Sequence, residues 1–179
     1  MDQALLDRRM IMMSGEVNSK LAKEVNKALL ALDNLDSKKP IYLLINSPGG
    51  EINSGFSIYD TARFINAEVK TVVIGLAASM GSLIALCSKK ENRLAFPNSK
   101  FLIHQPLVSG TIQGQASDLE IHAKDIVKTK LKINTLYAKE TGRPLEEVAK
   151  ATDRDNWMDV EEALKFGLIS RIISKFSEL

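Results

Sequence analysis

The chain has 179 residues, of which 45% are hydrophobic and 26% charged, and 24 basic groups against 22 acidic ones leave a net charge of +2. That length buries a core without crosslinks, and the near balance of charge, with Lys38-Lys39 and Lys89-Lys90 as isolated doublets, argues against nucleic acid as the main partner. A lone cysteine, Cys87, excludes an intrachain disulfide, and the N-terminal stretch MDQALLDRRMIMM is charged from its second residue with apolar runs too short to span a bilayer, so a cytoplasmic chain without leader or anchor is expected.

Residues Arg9 to Val17 read as a short strand that ends at Gly15. Ser19 to Leu35 then carries Leu21, Val25, Leu29 and Leu32 at helical spacing, with Ser19 as the expected cap. The run PIYLLI, Pro40 to Ile45, suits a strand buried on both faces, and Asn46-Ser47-Pro48-Gly49-Gly50 stops it. A helix over Ser54 to Ile65 comes next. Val69 to Ser88, VKTVVIGLAASMGSLIALCS, repeats the plan: a β-branched strand, a hinge of small residues, then an apolar helix with Ser79 and Met80 at the junction. Strand, turn and helix in succession predict parallel strands with crossover helices, an α/β fold.

Arg93 to Phe96 and Lys100 to His104 read as two more strands, the second closed by Gln105-Pro106. Leu107 to Gln115 is a polar, glycine-bearing ribbon expected to be mobile or to face substrate. The longest helix, Ala116 to Thr141, carries Leu119, Ala123, Ile126, Ile133 and Tyr137 on one stripe interrupted by Lys130. It exceeds what a small core needs, so part of it is expected against another subunit. A helix beginning at Pro144, a strand near Trp157-Met158, a helix over Val160 to Phe166 capped by Gly167, and a strand in LISRII complete the chain. One domain over 1–179 is expected. No phosphate loop of the G-x-x-x-x-G-K-[ST] type is present, so ATP hydrolysis by this chain is not expected.

Two readings compete at the central junction. Ser79 is either a helix N-cap, or a nucleophile on a strand-to-helix turn with the Met80 N–H directed at a developing oxyanion. A serine nucleophile needs a base. Of two histidines, His122 lies in the charged helix segment DLEIHAKD and reads as an ordinary helix-surface or packing histidine, whereas His104 closes an apolar strand, where functional groups collect in α/β sheets. The Pro48-Gly49-Gly50 turn is either structural or lets a carbonyl approach, with the Gly50 N–H as second oxyanion donor. Among many carboxylates, the Asp153-Arg154-Asp155 cluster stands in the order serine, histidine, aspartate, and the pattern does not choose between its two acids.

The blocks INSPGG (45–50), GLAASMGS (75–82), IHQP (103–106), GQASDLEIHA (114–123) and TDRDNWM (152–158) together resemble the signature of the ClpP family, proteolytic subunits of Clp proteases. The resemblance implies a ClpP/crotonase-type β-superhelix with flanking helices and a long handle helix at about 116–141. It implies a serine endopeptidase with Ser79 as nucleophile, His104 as general base and then acid, Asp155 as the group that holds His104, and Gly50 and Met80 as the oxyanion amides. It further implies two stacked heptameric rings, a hexameric AAA+ ATPase that consumes the ATP and feeds in unfolded proteins, and no cofactor or metal in this chain. Neither nucleic acid nor membrane is an expected partner. The chain begins close to the family's first helix, and Leu44 stands where many members carry a tyrosine in the cleft that receives the ATPase, although Tyr42 is retained. A ring mixed with a paralogue is therefore expected. The rival readings are a crotonase-like acyl-CoA enzyme and a subunit active only in such mixed rings.

Overall fold

The computed structural model describes residues 3–107, 110 and 113–179, which group into two compact units, one of residues 1–102 with 157–179 and one of 103–156. The first unit is a parallel sheet with helices. Its strands β1 (Met10–Ser14), β2 (Ile41–Ser47), β3 (Val69–Ala78), β4 (Arg93–Ala95) and β7 (Arg171–Ile172) pair in the order β1-β2-β3-β4-β7, while β5 (Lys100–Ile103) pairs with β3. The chain leaves this unit at the end of β5 and returns at β6 (Asn156–Met158). Helices α1 (Gln3–Asp7), α2 (Ser19–Leu35), α3 (Ile52–Phe64), α4 (Met80–Ala85) and α7 (Val160–Phe166) belong to the same unit.

The expected α/β class with parallel strands is the observed one, and the apolar runs explain it. Ile41, Leu43 and Ile45 on β2, Val72 and Val73 on β3 and Ile11 and Met13 on β1 have no exposed surface. Alternate positions on β2, Tyr42 and Leu44, are half-buried, so this strand is covered more completely on one side than on the other. Val72, Leu94 and Ile173 form a separate apolar cluster flanked by Leu44, Ile74 and Leu179.

Strand β3 is long enough to serve two neighbours. Thr71 to Val73 pairs with β4 and Leu76 to Ala78 with β5. Between those halves its register against β2 jumps from Ile45↔Val73 to Ser47↔Ala77. The Asn46 side chain fills the irregularity, its Oδ1 accepting from the Leu76 N–H at 3.1 Å, and a Cβ on Gly75 would stand 2.8 Å from that oxygen. A bulge of this kind bends the strand and re-aims the residues beyond it, Ser79 among them.

Several boundaries differ from expectation for local reasons. The cap of α2 is Asn18, whose Oδ1 accepts from the Leu21 N–H at 3.0 Å, and Ser19 is the first helical residue. Helix α3 starts at Ile52, two residues before expected, with the Ser54 hydroxyl donating to Glu51 Oε2 at 2.7 Å in its first turn. Helix α4 is only six residues long. At the far end of the chain, Glu178 accepts from the N–H groups of Ser174 and Lys175 at 2.7 and 2.6 Å, and these bonds, Ser174 first, hold its carboxyl below the usual glutamate value. A depressed carboxyl stabilises above its unfolded pKa and loses that contribution as pH falls through the folded one. Amide exchange at Ser174 and Lys175 is expected to quicken on acidification through that range, and Glu178→Gln to remove the pH dependence.

The second unit is built on α5 (Ala116–Thr141) and α6 (Leu145–Ala151). Only the C-terminal part of α5 is buried, through Ile133, Asn134, Tyr137 and Thr141, with Val148 of α6 also enclosed. Gly142, at φ 77°, ends α5 in the left-handed conformation, and Pro144 precedes α6 as its cap. Leu119, Ile121, Val127 and Leu131 remain exposed along the rest of α5. The ribbon expected to face substrate falls in part on residues 108–109 and 111–112, which lie outside the described residues.

Candidate active site

Ser79 occupies the cap position of α4 with φ 54° and ψ −122°, and its side chain makes no capping hydrogen bond. The N-cap reading therefore explains its place in the chain but not its conformation. A non-glycine residue in this region costs of the order of 1–3 kcal/mol and persists only where its surroundings over-determine it. They do so here. The Ser79 N–H donates to Leu102 O at 2.9 Å, and the Ser79 carbonyl accepts from the Ser82 N–H at 3.0 Å and the Ser82 hydroxyl at 2.7 Å. Gly81 lies against the Ser47 backbone, where a Cβ would come within 2.9 Å of Ser47 O.

The NSPGG turn is held with equal definition. The buried Ser47 hydroxyl donates to Gly15 O at 2.6 Å and accepts from the Gly49 N–H at 3.1 Å. Val17 then bridges the turn, its N–H donating to Gly49 O and its carbonyl accepting from the Glu51 N–H, both at 2.7 Å. In a parallel bridge those bonds use the residues that flank Gly50, so the Gly50 amide itself faces away from Val17. Gly49, at φ 91°, sits so close to the serine junction that a Cβ would stand 2.6 Å from Ser79 Cβ and 2.9 Å from Met80 N. Met80 opens α4, and the first N–H groups of a helix have no partner within it. Within the first unit, then, the turn and the strained serine junction are pressed together across Gly49. This arrangement can present a hydroxyl beside backbone donors.

Within the second unit the structure brings His104 and Asp155 together, with Nδ1 of His104 3.9 Å from Oδ1 of Asp155. That separation exceeds a hydrogen bond. The imidazole is 18% exposed and the carboxylate 68%. Asp153 is directed elsewhere, its Oδ1 lying 3.7 Å from Lys130 Nζ. The alignment of His104 with the 152–155 loop comes from its neighbour. The Gln105 N–H donates to Thr152 O at 2.6 Å and Gln105 Nε2 to Asp153 O at 2.7 Å. Thr152, fully buried, anchors the loop in turn by donating to Asn134 Oδ1 at 2.9 Å on α5.

A family model described as Clp protease matches residues 1–176. The chain belongs to the Clp protease family. It is 47% identical over 178 residues, 99% of this chain and 86% of the relative, to ATP-dependent Clp protease proteolytic subunit 1 of Protochlamydia amoebophila. The corresponding subunit 1 of Chlamydia muridarum is 46% identical over 99% of this chain and 93% of its own length. Proteolytic subunit 2 of Treponema denticola is 48% identical over 95% of this chain and 84% of its own. The chain is accordingly an enzyme of the serine peptidase class.

The other candidates of this Clp protease chain differ in their surroundings. His122 is exposed on α5, a surface and not a packing histidine, and Cys87 is buried. Among the described residues no group of three His, Cys, Asp or Glu side chains could hold a metal, and no helix is long and apolar enough to cross a membrane. Sequence reasoning missed the supporting roles of Gly49, Asn46, Gln105, Thr152 and Asn134. All but Asn134 lie inside the motif blocks, yet nothing in their spacing tells a support from a spacer.

Proposed function

We propose that the chain hydrolyses peptide bonds of unfolded polypeptides through an acyl-enzyme on Ser79. His104 takes the serine proton and returns it to the leaving amine, Asp155 orients and stabilises the imidazolium, and the Gly50 and Met80 amides bind the oxyanion. No cofactor or metal enters from this chain. The observation that carries the reading is the positive φ of Ser79, held by hydrogen bonds to Leu102 and Ser82 while its hydroxyl caps nothing. A serine needed only to start a helix has no reason to bear that strain.

The relatives are named as subunits of ATP-dependent proteases, which supports a place in an assembly of two heptameric rings served by a hexameric AAA+ ATPase. The exposed apolar residues of α5 supply surface for contacts between copies. The separation of His104 from Asp155 favours a second form of the same reading, in which assembly, with a paralogue in the ring, shortens that contact and switches the site on.

A fluorophosphonate probe tests the chemistry. Stoichiometric modification at Ser79, located by peptide mass spectrometry, is expected, in the isolated chain or once a paralogue is added. Absence of labelling in both preparations, together with acyl-CoA binding, would transfer the chain to crotonase-like chemistry.

A further inference from the structure

Helix α4 is held at the end away from Ser79 by buried polar groups for which the proposed triad has no use. All six of its residues, Met80–Ala85, are buried. A helix this short has little stability of its own, and its last carbonyls need partners that water cannot supply there. Two side chains provide them, those of Thr71 and Arg93, with Ser88 joined to the same network. The Thr71 hydroxyl donates to Ala85 O at 2.8 Å and lies 2.8 Å from the Ser88 hydroxyl. The Arg93 guanidinium donates through Nη2 to Leu86 O at 3.3 Å and through Nε and Nη2 to Ser88 O at 3.0 and 2.9 Å. Thr71, Ser88 and Arg93 are only 1–2% exposed.

The placement of these groups is economical. Thr71 and Arg93 are register partners across β3 and β4, so adjacent positions of the sheet grip the same helix end. A guanidinium fork spans the Leu86 and Ser88 carbonyls at once, which a lysine ammonium, a point donor on a flexible stem, does not reproduce. Burying a cation to do this is costly, and well-packed apolar groups often hold a core equally well. What the buried fork adds is definition of position. Six residues make a rod about 9 Å long, so tilt at the Arg93 end moves the Met80 N–H and Ser79 at the other.

We propose that Arg93, with Thr71, is a positioning residue for the reaction, fixing α4 so that Ser79 and the Met80 amide hold their geometry. The inference rests on the reading of Ser79 as nucleophile and Met80 as oxyanion donor. The test uses the full chain, or its active assembly, carrying Arg93→Lys, Arg93→Met or Thr71→Val, with Val25→Ala, a buried residue of α2 outside the clamp, as a destabilised control. Thermal midpoint, kcat and KM on a small fluorogenic peptide, and the rate of Ser79 phosphonylation are measured on folded protein.

Arg93→Lys and Arg93→Met are expected to lower kcat and phosphonylation by about 10- to 100-fold, the scale of an ångström-level misplacement, with KM within about twofold of wild type. Thr71→Val, which keeps its shape should the Arg93 variants not fold, is expected to lower kcat in the same manner and to a smaller degree. Val25→Ala is expected to lower the midpoint without changing kcat. If the clamp variants lose stability while folded protein keeps its wild-type kcat and labelling rate, the clamp is structural only and the inference is overturned. If wild type itself is not labelled at Ser79, the underlying reading fails and the inference falls with it.

Discussion

Ser79→Gly is expected to give a protein more stable than Ser79→Ala and without peptidase activity. Both substitutions remove the hydroxyl, and loss of the proposed covalent nucleophile reduces turnover by at least about 10³-fold. They differ in what they do to the backbone. Alanine keeps a Cβ at φ 54°, ψ −122°, so the strain of the wild-type junction remains. Glycine populates positive φ without that penalty, and its gain of about 1 kcal/mol or more is offset in part by the greater freedom of its unfolded chain. Chemical denaturation of the two inactive variants reads the difference directly, because neither carries chemistry to confuse the comparison. A glycine variant less stable than the alanine variant would mean that the junction is not strained, and the structural argument for a nucleophile would lose its basis.

The elements most legible in the sequence are those whose own pattern suffices. The stripe of Val25, Leu29 and Leu32 forms α2, and the run from Ile41 to Ile45 forms a strand with three fully enclosed positions. The differences arise where tertiary partners decide. Strand β2 continues to Ser47 because Ala77, beyond the bulge, offers it a pairing partner. Helix α4 ends at Ala85, although the apolar run continues to Cys87, because Thr71 and Arg93 take its final carbonyls. Local patterns do not encode which distant hydroxyl or guanidinium will arrive.

The same limit governs the site. Two acids of the Asp153-Arg154-Asp155 cluster are equivalent as pattern, and only the motif resemblance separates them. In three dimensions Asp153 turns to Lys130 while Asp155 stands near His104. The hydrogen bonds of Gln105 to Thr152 and Asp153, which hold that loop in place, join residues far apart in the chain and leave no periodic trace. Leu119 and Ile126 share one sequence stripe with Ile133 and Tyr137, yet Leu119 is exposed and Ile126 only half-buried while the last two are enclosed. The stripe expresses apolarity, and its spacing does not say which part of it the chain's own core will cover.

Gly49→Ala carries the other large expected effect, because it inserts a single methyl between the turn and the serine junction. The new Cβ would meet Ala78 O and Ser79 Cβ at 2.6 Å and Met80 N at 2.9 Å, all of them short and none at the end of a flexible side chain. It would also sit at φ 91°. Gly142→Ala supplies the comparison: at φ 77° with nothing within 4 Å, it isolates the conformational penalty, about 1 kcal/mol. The clash at Gly49 adds to that penalty, for a total loss of roughly 3 kcal/mol or more, in the range reserved for overpacking and backbone strain. Part of the displacement must fall on the Met80 amide, the proposed oxyanion donor, and loss of such a donor lowers kcat by about 10²–10³-fold. Folded Gly49→Ala is therefore expected to bind a small peptide with a nearly unchanged KM and turn it over slowly, whereas Gly142→Ala loses stability alone. Equal kcat in the two variants would show that the backbone at Met80 does not set the rate, and the oxyanion donors would have to be sought outside this turn and this helix.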